Sequence, residues 1–189
     1  MPLQFEHIYT SPIGRIKIIA NQDCILSLQF IEEEMDDSTA EVVESPAVIH
    51  QCIDELIEYF NGTRTQFAVP IHQEGTDFQQ KVWRELYEVP YAKTLSYAAL
   101  AKKLGDPKVI RAAASANGKN KIAIIVPCHR IIGSDKNLTG YAWGLPRKKW
   151  LLQHEFRIGL GVQTPYRHCF GKRKKHVAVH SYFRVQHHD

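Results

Sequence analysis

Pro127-Cys128-His129-Arg130 sets a thiol beside an imidazole, behind a proline and ahead of an arginine, at the end of the apolar run Ile124-Ile125-Val126. A cysteine of ordinary pKa, about 8.5, is mostly protonated at neutral pH, so nucleophilic work requires a neighbouring base or a positive field. His129 is the base nearest in sequence. Adjacent side chains on an extended chain point to opposite faces, so Cys128 and His129 should not touch without a turn at Pro127 or a bridging water. A working base also needs an orienting partner, and Glu155, on a predicted helix, is the candidate. Isolated cysteines are usually small buried hydrophobes, the reading given to Cys24 and Cys52. The flanks of Cys128 set it apart.

The elements that must hold this thiol can be read from patterning. The run before Pro127 is β-branched and too short for a helix, which predicts a buried strand ending at the proline. Upstream, Phe5 to Thr10, Gly14 to Ala20 and Ile25 to Gln29 alternate like strands, with Ser11-Pro12-Ile13-Gly14 as a turn. A helix is expected from about Pro46 to Phe60, capped by Ser45, stopped by Asn61-Gly62, with Ile49, Ile53, Leu56, Ile57 and Phe60 on one face. Phe67 to Ile71 reads as a further extended segment. From Thr76 the character changes: Thr76 and Gln79 form a capping box before a helix that Pro90 ends. Ser96 can cap a helix from Tyr97 to Leu104, and Asp106-Pro107 can open another that runs to about Ala116.

Charge divides the chain in the same place. Residues 1–75 carry three basic and thirteen acidic side chains, a balance of −10, whereas residues 76–189 carry twenty-one basic and seven acidic, a balance of +14. The second part is therefore expected to meet a polyanion. Two short helices joined by a Gly-containing turn form a helix-turn-helix pattern, which points to DNA. The third helix, Lys108-Val109-Ile110-Arg111-Ala112-Ala113-Ala114-Ser115-Ala116, lacks the several long polar side chains that read the major groove. Small residues allow close approach to phosphates and the minor groove, and one long Arg111 can reach into the base stack.

These residues together carry a family resemblance. Pro127-Cys128-His129-Arg130, with Asn120 eight residues before the cysteine and Gly140-Tyr141 and Gly144-Leu145 after it, resembles the active-site segment of the methylated-DNA-protein-cysteine methyltransferases, the O6-alkylguanine-DNA alkyltransferases. Phe78, Val82, Trp83, Pro90, Thr94 and Ser96 are similar to that pattern too, and the resemblance spans about residues 3–156. It implies an α+β fold: a small N-terminal antiparallel sheet with a helix, ribonuclease H-like, over residues 1–75, and a mainly helical domain with a helix-turn-helix over 76–156. It implies that Cys128 accepts the alkyl group, His129 acts as a water-mediated base oriented by Glu155, and Asn120 is a hinge between recognition helix and active-site strand. Tyr97 would help rotate the target nucleotide and donate to the departing guanine. Arg111 would fill the gap in the duplex, with Ala112, Ala113, Ser115, Ser96, Lys108 and Arg130 as further DNA contacts. Tyr141, Trp143, Lys148 and Pro127 would line the pocket. Trp143 stands where many members have glycine, which narrows the pocket towards methyl adducts and against bulky benzyl-type ones.

The implied activity is stoichiometric, irreversible DNA repair, with O4-alkylthymine as a further candidate lesion. A thioether product has no carbonyl for water to attack, so nothing regenerates the thiol, and a single-turnover reaction without cofactor is expected. The expected partner is double-stranded DNA containing alkylated guanine, met by a monomer. No zinc is expected, since Cys24 and His72 make no convincing ligand spacing. Four dispersed cysteines without a Cys-x-x-Cys pair, and no apolar stretch near the roughly 18 residues of a membrane span, predict a soluble protein of cytoplasm or nucleus that is not secreted. Residues 157–189 hold seven basic residues, one acidic and five histidines without helical or strand period, and read as a disordered basic tail. Within it His168, Cys169, His176 and His180 are the weaker alternative of a metal site. The leading functional alternative is a lesion-sensing DNA-binding protein of the same fold that does not repair, though that branch replaces the cysteine. A cysteine hydrolase would need an oxyanion hole, of which the sequence shows no signature.

Overall fold

Apolar and polar residues alternate from Phe5 onward, and period-two alternation with one buried face is what a half-covered antiparallel sheet requires. The computed structural model, which describes residues 3–32 and 45–162, forms that sheet from β1 (Phe5–Ser11), β2 (Gly14–Ala20) and β3 (Ile25–Ile31), in the order β1-β2-β3. The register pairs Phe5 with Ala20 and Arg15 with Ile31. Ser11 closes the first hairpin by donating its hydroxyl to the Gly14 carbonyl at 2.6 Å. Asn21 Oδ1 closes the second by accepting from the Asp23 and Cys24 amides at 2.8 Å each.

Helix α1 (Ala47–Phe60) covers the sheet, burying Ile49, Leu56 and Tyr59 where β1, β2 and β3 bury Tyr9, Ile16, Ile18 and Leu28. Its N-cap is Pro46 and no side chain caps it, so the expected Ser45 cap is corrected by one residue. The buried stripe runs through Val48, Cys52, Glu55 and Tyr59, which leaves Ile53 and Ile57 half-buried at its margin. Glu55 is 4% exposed and accepts the Ala68 and Val69 amides at 2.8 and 3.2 Å, stapling the following segment to α1. That segment reaches the sheet as a single parallel bridge, Ile25 to Ile71.

This first unit ends at His72, and a second begins at Gln73. Helix α2 (Asp77–Tyr87) starts with the expected capping box, in which Thr76 and Gln79 satisfy each other's backbone amides. Ser96 caps α3 (Tyr97–Lys103) by accepting the Ala99 amide. Asp106 and Pro107 open one 3₁₀ turn, Pro107–Val109, and α4 (Ile110–Gly118) continues from it. Trp83 in α2 donates its indole N–H to the Ala116 carbonyl at 2.9 Å and fixes the end of α4. Two short parallel strands, β4 (Leu95–Ser96) and β5 (Ile131–Ile132), join the start of α3 to the segment after Cys128. Helix α5 (Leu145–Gly159) closes the unit.

One expected element is absent. Ile122 to Val126 is buried as predicted but is a compact turn, not a strand: Ile125 N–H bonds to Ala123 O at 2.7 Å, Val126 N–H to Ile122 O at 3.1 Å, and Ile124 sits at φ +67°. A β-branched residue in the left-handed region is costly and persists where its surroundings over-determine it. Asn120 supplies that determination. Its Nδ2 donates to the carbonyls of Ile122 and Val126 at 3.2 and 2.9 Å, and its Oδ1 accepts the Ile122 amide at 3.0 Å.

Candidate active site

The buried turn delivers Cys128 at the start of a single 3₁₀ turn, Cys128–Arg130, so the two neighbours do not lie on an extended chain. The Cys128 amide bonds to Val126 O at 2.8 Å and the Arg130 amide to Pro127 O at 2.9 Å. The side chains diverge from there. Cys128 Sγ receives a hydrogen bond from Asn120 Nδ2 at 3.1 Å, whereas His129 Nε2 lies 2.8 Å from Glu155 Oε1.

Glu155 is fully buried and surrounded by donors. Arg130 reaches it with Nε to Oε2 and Nη2 to Oε1, both at 2.9 Å, and the Ala92 amide donates to Oε2 at 3.1 Å. Burial alone would raise its pKa, but His129 and Arg130 outweigh burial and hold the carboxyl well below the usual carboxylate range. An ionised carboxylate accepts and does not donate, so the hydrogen between it and His129 resides on Nε2. The imidazole is neutral, because burial lowers its pKa more than Glu155 raises it. Nδ1 therefore carries a lone pair, and it is buried without a protein hydrogen-bond partner.

The thiol itself is not ionised at rest. Burial pushes Cys128 up to about 11, against the opposing pull of Asn120, Lys148 and the backbone amides of Cys128 and His129. The site thus holds a protonated thiol and a neutral base, so activation requires a proton to leave. A desolvated thiol of this kind suits displacement on carbon, where a thiolate formed on demand is poorly solvated and correspondingly reactive.

The second layer holds the loop that follows β5. Lys148 is fully buried, and its ammonium donates to the carbonyls of Ile131, Thr139 and Gly140 at 2.6, 2.8 and 3.1 Å. Burial lowers its pKa to about 8. Arg147 donates to the Trp143 carbonyl at 3.0 Å, and the Tyr141 and Trp143 rings meet edge-on at 5.3 Å.

Comparison with known proteins gives this chain a family. Residues 77–157 match the DNA-binding domain, and residues 5–73 the ribonuclease-like domain, of 6-O-methylguanine DNA methyltransferase. The chain is 41% identical over 145 residues to a methylated-DNA–protein-cysteine methyltransferase of Mycobacterium tuberculosis, covering 77% of this chain and 88% of that one. It is also 41% identical over 152 residues to the protein of that name from Methanosarcina barkeri, covering 80% and 96%. The chain belongs to the O6-methylguanine DNA methyltransferase family. Among solved structures, M. tuberculosis OGT in complex with DNA superimposes with a TM-score of 0.73 at 38% identity, over 81% of this chain and 93% of that one.

Against that family background, the structure gathers Cys128, Asn120, His129, Glu155 and Tyr97 in one unit but redistributes several other expected residues. Arg130, expected among the DNA contacts, is 6% exposed and committed to Glu155 and to the Val89 carbonyl at 2.6 Å. Ala113 is fully buried against the core and is corrected likewise. Lys148, expected to line the pocket, spends its donors on the carbonyls of Ile131, Thr139 and Gly140 and acts on Cys128 through its charge. Lys108, Arg111, Ala112 and Ser115 are exposed on or beside α4, and Ser96 is half-buried with its hydroxyl used as a cap. Pro127 is buried; Tyr141 and Trp143 are half-buried. The basic segment from residue 163, with His168, Cys169, His176 and His180, lies outside the described residues.

Two residues in the site were not anticipated. Gln73 donates to Asn120 Oδ1 at 3.1 Å and accepts the Lys121 amide at 3.0 Å, bracing the amide that faces the thiol. Asn117 donates to the Tyr97 hydroxyl at 3.2 Å. The signal for the latter was in the sequence as a second asparagine one helical turn before Asn120.

Proposed function

We propose that this protein repairs DNA by transferring an alkyl group, methyl foremost, from O6 of guanine in duplex DNA to Cys128, once per molecule. The observation that carries the reading is the buried chain Glu155, His129, Cys128 and Asn120: an ionised carboxylate, a neutral imidazole with a free acceptor nitrogen, and a protonated thiol, all shielded from bulk water. On substrate binding the thiol proton passes through a water to His129 Nδ1, and Glu155 stabilises the imidazolium that results. The sulfur displaces guanine from the alkyl carbon, Tyr97 donates a proton to the departing base, and a thioether remains.

The substrate carbon lies inside the duplex, so the nucleotide must be extruded at a cost of about a few kcal/mol. The exposed face of α4, with small Ala112 and Ser115 beside Arg111 and Lys108, suits minor-groove entry with Arg111 occupying the vacated space. Arg130 has no part in DNA contact in this reading; it holds Glu155 ionised. The relatives' names and the DNA-bound neighbour support DNA as partner. Tyr141 and Trp143 bound the alkyl pocket, which limits the size of the group transferred. No helix among the described residues is long and apolar enough to cross a membrane.

The test is stoichiometry. With O6-methylguanine duplex in excess over protein, base analysis should show guanine restored in an amount equal to the protein added and no more. Continued turnover would overturn single use, and tight binding with the lesion intact would favour a lesion sensor.

A further inference from the structure

Two asparagines three residues apart, Asn117 in the last turn of α4 and Asn120 just past its end, each address a different reacting group. Asn120 donates to Cys128 Sγ, the nucleophile, at 3.1 Å. Asn117 donates through Nδ2 to the hydroxyl oxygen of Tyr97 at 3.2 Å. Asn117 is 4% exposed and held in place from both sides: Trp83 bonds to the preceding carbonyl at 2.9 Å, and the Asn120 amide donates to the Asn117 carbonyl at 3.3 Å.

The direction of the Asn117 bond matters. A phenol oxygen that accepts an N–H keeps its own hydrogen for another acceptor, and among the described residues the Tyr97 hydroxyl has no other hydrogen-bond partner. An accepted hydrogen bond also stabilises the phenolate left after donation, which works against the raising effects of burial and of Cys128 on this phenol. The same turn that presents the amide to the sulfur thus orients the acid that meets the leaving group.

We propose that Asn117 is a positioning residue that turns the Tyr97 O–H towards the departing guanine and makes it a competent proton donor. The inference rests on Tyr97 being that donor. In the step, the Cys128 Sγ–carbon bond forms as the carbon–O6 bond breaks, and the electron pair of the broken bond stays on the purine. Tyr97 gives its proton to a purine ring nitrogen, and the phenolate regains one from solvent. The proton of the thiol leaves through water to His129.

The test is a double-mutant cycle on single-turnover methyl transfer from O6-methylguanine duplex, using Asn117→Ala, Asn117→Asp, Tyr97→Phe and the double variant Asn117→Ala/Tyr97→Phe. Asn117→Ala should slow transfer about five- to tenfold, the worth of one oriented hydrogen bond, with duplex affinity unchanged. Asn117→Asp should be slower still, since a carboxylate accepts and captures the Tyr97 hydrogen. In the Tyr97→Phe background Asn117→Ala should have no further effect. Methylation of Cys128 by methyl iodide, followed by peptide mass, should proceed equally in all variants, because iodide leaves without a proton. Loss of methyl iodide reactivity in parallel with DNA repair, or equal slowing by Asn117→Ala with and without the Tyr97 hydroxyl, would overturn the proposal by making Asn117 merely structural. Tyr97→Phe slow but Asn117→Ala and Asn117→Asp fast would overturn it alone, whereas Tyr97→Phe as fast as the parent would overturn the donor role of Tyr97 and this inference with it.

Discussion

Two buried glutamates, one in each unit, differ in what their partners allow them to do. Glu55 is 4% exposed and Glu155 fully buried, so burial does not distinguish them. Their partners do. Glu55 accepts two backbone amides and the Gln51 side chain and pairs with Arg64 at 3.8 Å, groups that do not change their protonation, and so it fastens a segment to a helix. Glu155 accepts from His129 and Arg130, and one of those can take up a proton. A buried carboxylate held by fixed donors is a staple; one held by a titratable donor can share in a reaction.

That contrast can be broken most forcefully by neutralising each carboxylate in turn. Glu155→Gln should cut the rate of methyl transfer by about 100-fold or more, the scale of positioned general-base catalysis. It should also destabilise the fold by about 3–5 kcal/mol, as the Arg130 guanidinium loses its buried counter-charge. Glu55→Gln should leave the transfer rate per folded molecule unchanged and cost about 1–3 kcal/mol in denaturant titration. If Glu55→Gln slowed chemistry as much as Glu155→Gln, the distinction would fail.

Arg111→Ala should lower transfer from duplex DNA about tenfold to a hundredfold while methyl iodide reactivity of Cys128 stays constant, since extrusion and not the thiol is impaired. A smaller effect sharpens the difference in surface charge between the units. Lys108→Ala should flatten the slope of log affinity against log salt by about 0.9, the signature of one phosphate contact, whereas Lys17→Ala in the first unit should leave the slope as it was. Lys17 is already paired with Glu6 at 2.8 Å.

The pH dependence follows from Glu155 and Cys128. The folded-state pKa of Glu155 lies below its ordinary 4.5, so its stabilisation is complete above that pH and is lost as the pH falls below it. Thermal melts of the parent should therefore drop more steeply below about pH 4.5 than melts of Glu155→Gln. For Cys128, pushed up to about 11, methylation by methyl iodide should keep rising with pH into that range. Repair of duplex DNA should depend on pH far less, because His129 removes the proton within the complex.

Short-range features were legible in the sequence and long-range ones were not. The caps Thr76, Ser96 and Asp106 act on amides two or three residues away, so spacing revealed them. The turn at Ile122 to Val126 reads as a strand because its apolar residues satisfy the strand pattern, while the group that folds it, the Asn120 amide, replaces the partner strand that the pattern assumes. Arg130 looked available for DNA because its position beside Cys128 says nothing of Glu155, twenty-five residues on, or Val89, forty-one back. The hydrogen bonds of Lys148 were illegible for the same reason: its acceptors are carbonyls, which leave no mark in side-chain sequence. The residues proposed for catalysis were singled out by family resemblance, and the thiol's resting protonation state became readable once its burial was known.

The destination of the alkyl group decides whether Cys128 is the acceptor. After incubation with duplex DNA bearing O6-methylguanine, peptide mass analysis should find one added methyl on the peptide containing Cys128, stoichiometric with lesion lost and absent in Cys128→Ala. Restored guanine with an unmodified Cys128, or methyl found on Cys24 or Cys52, would contradict it.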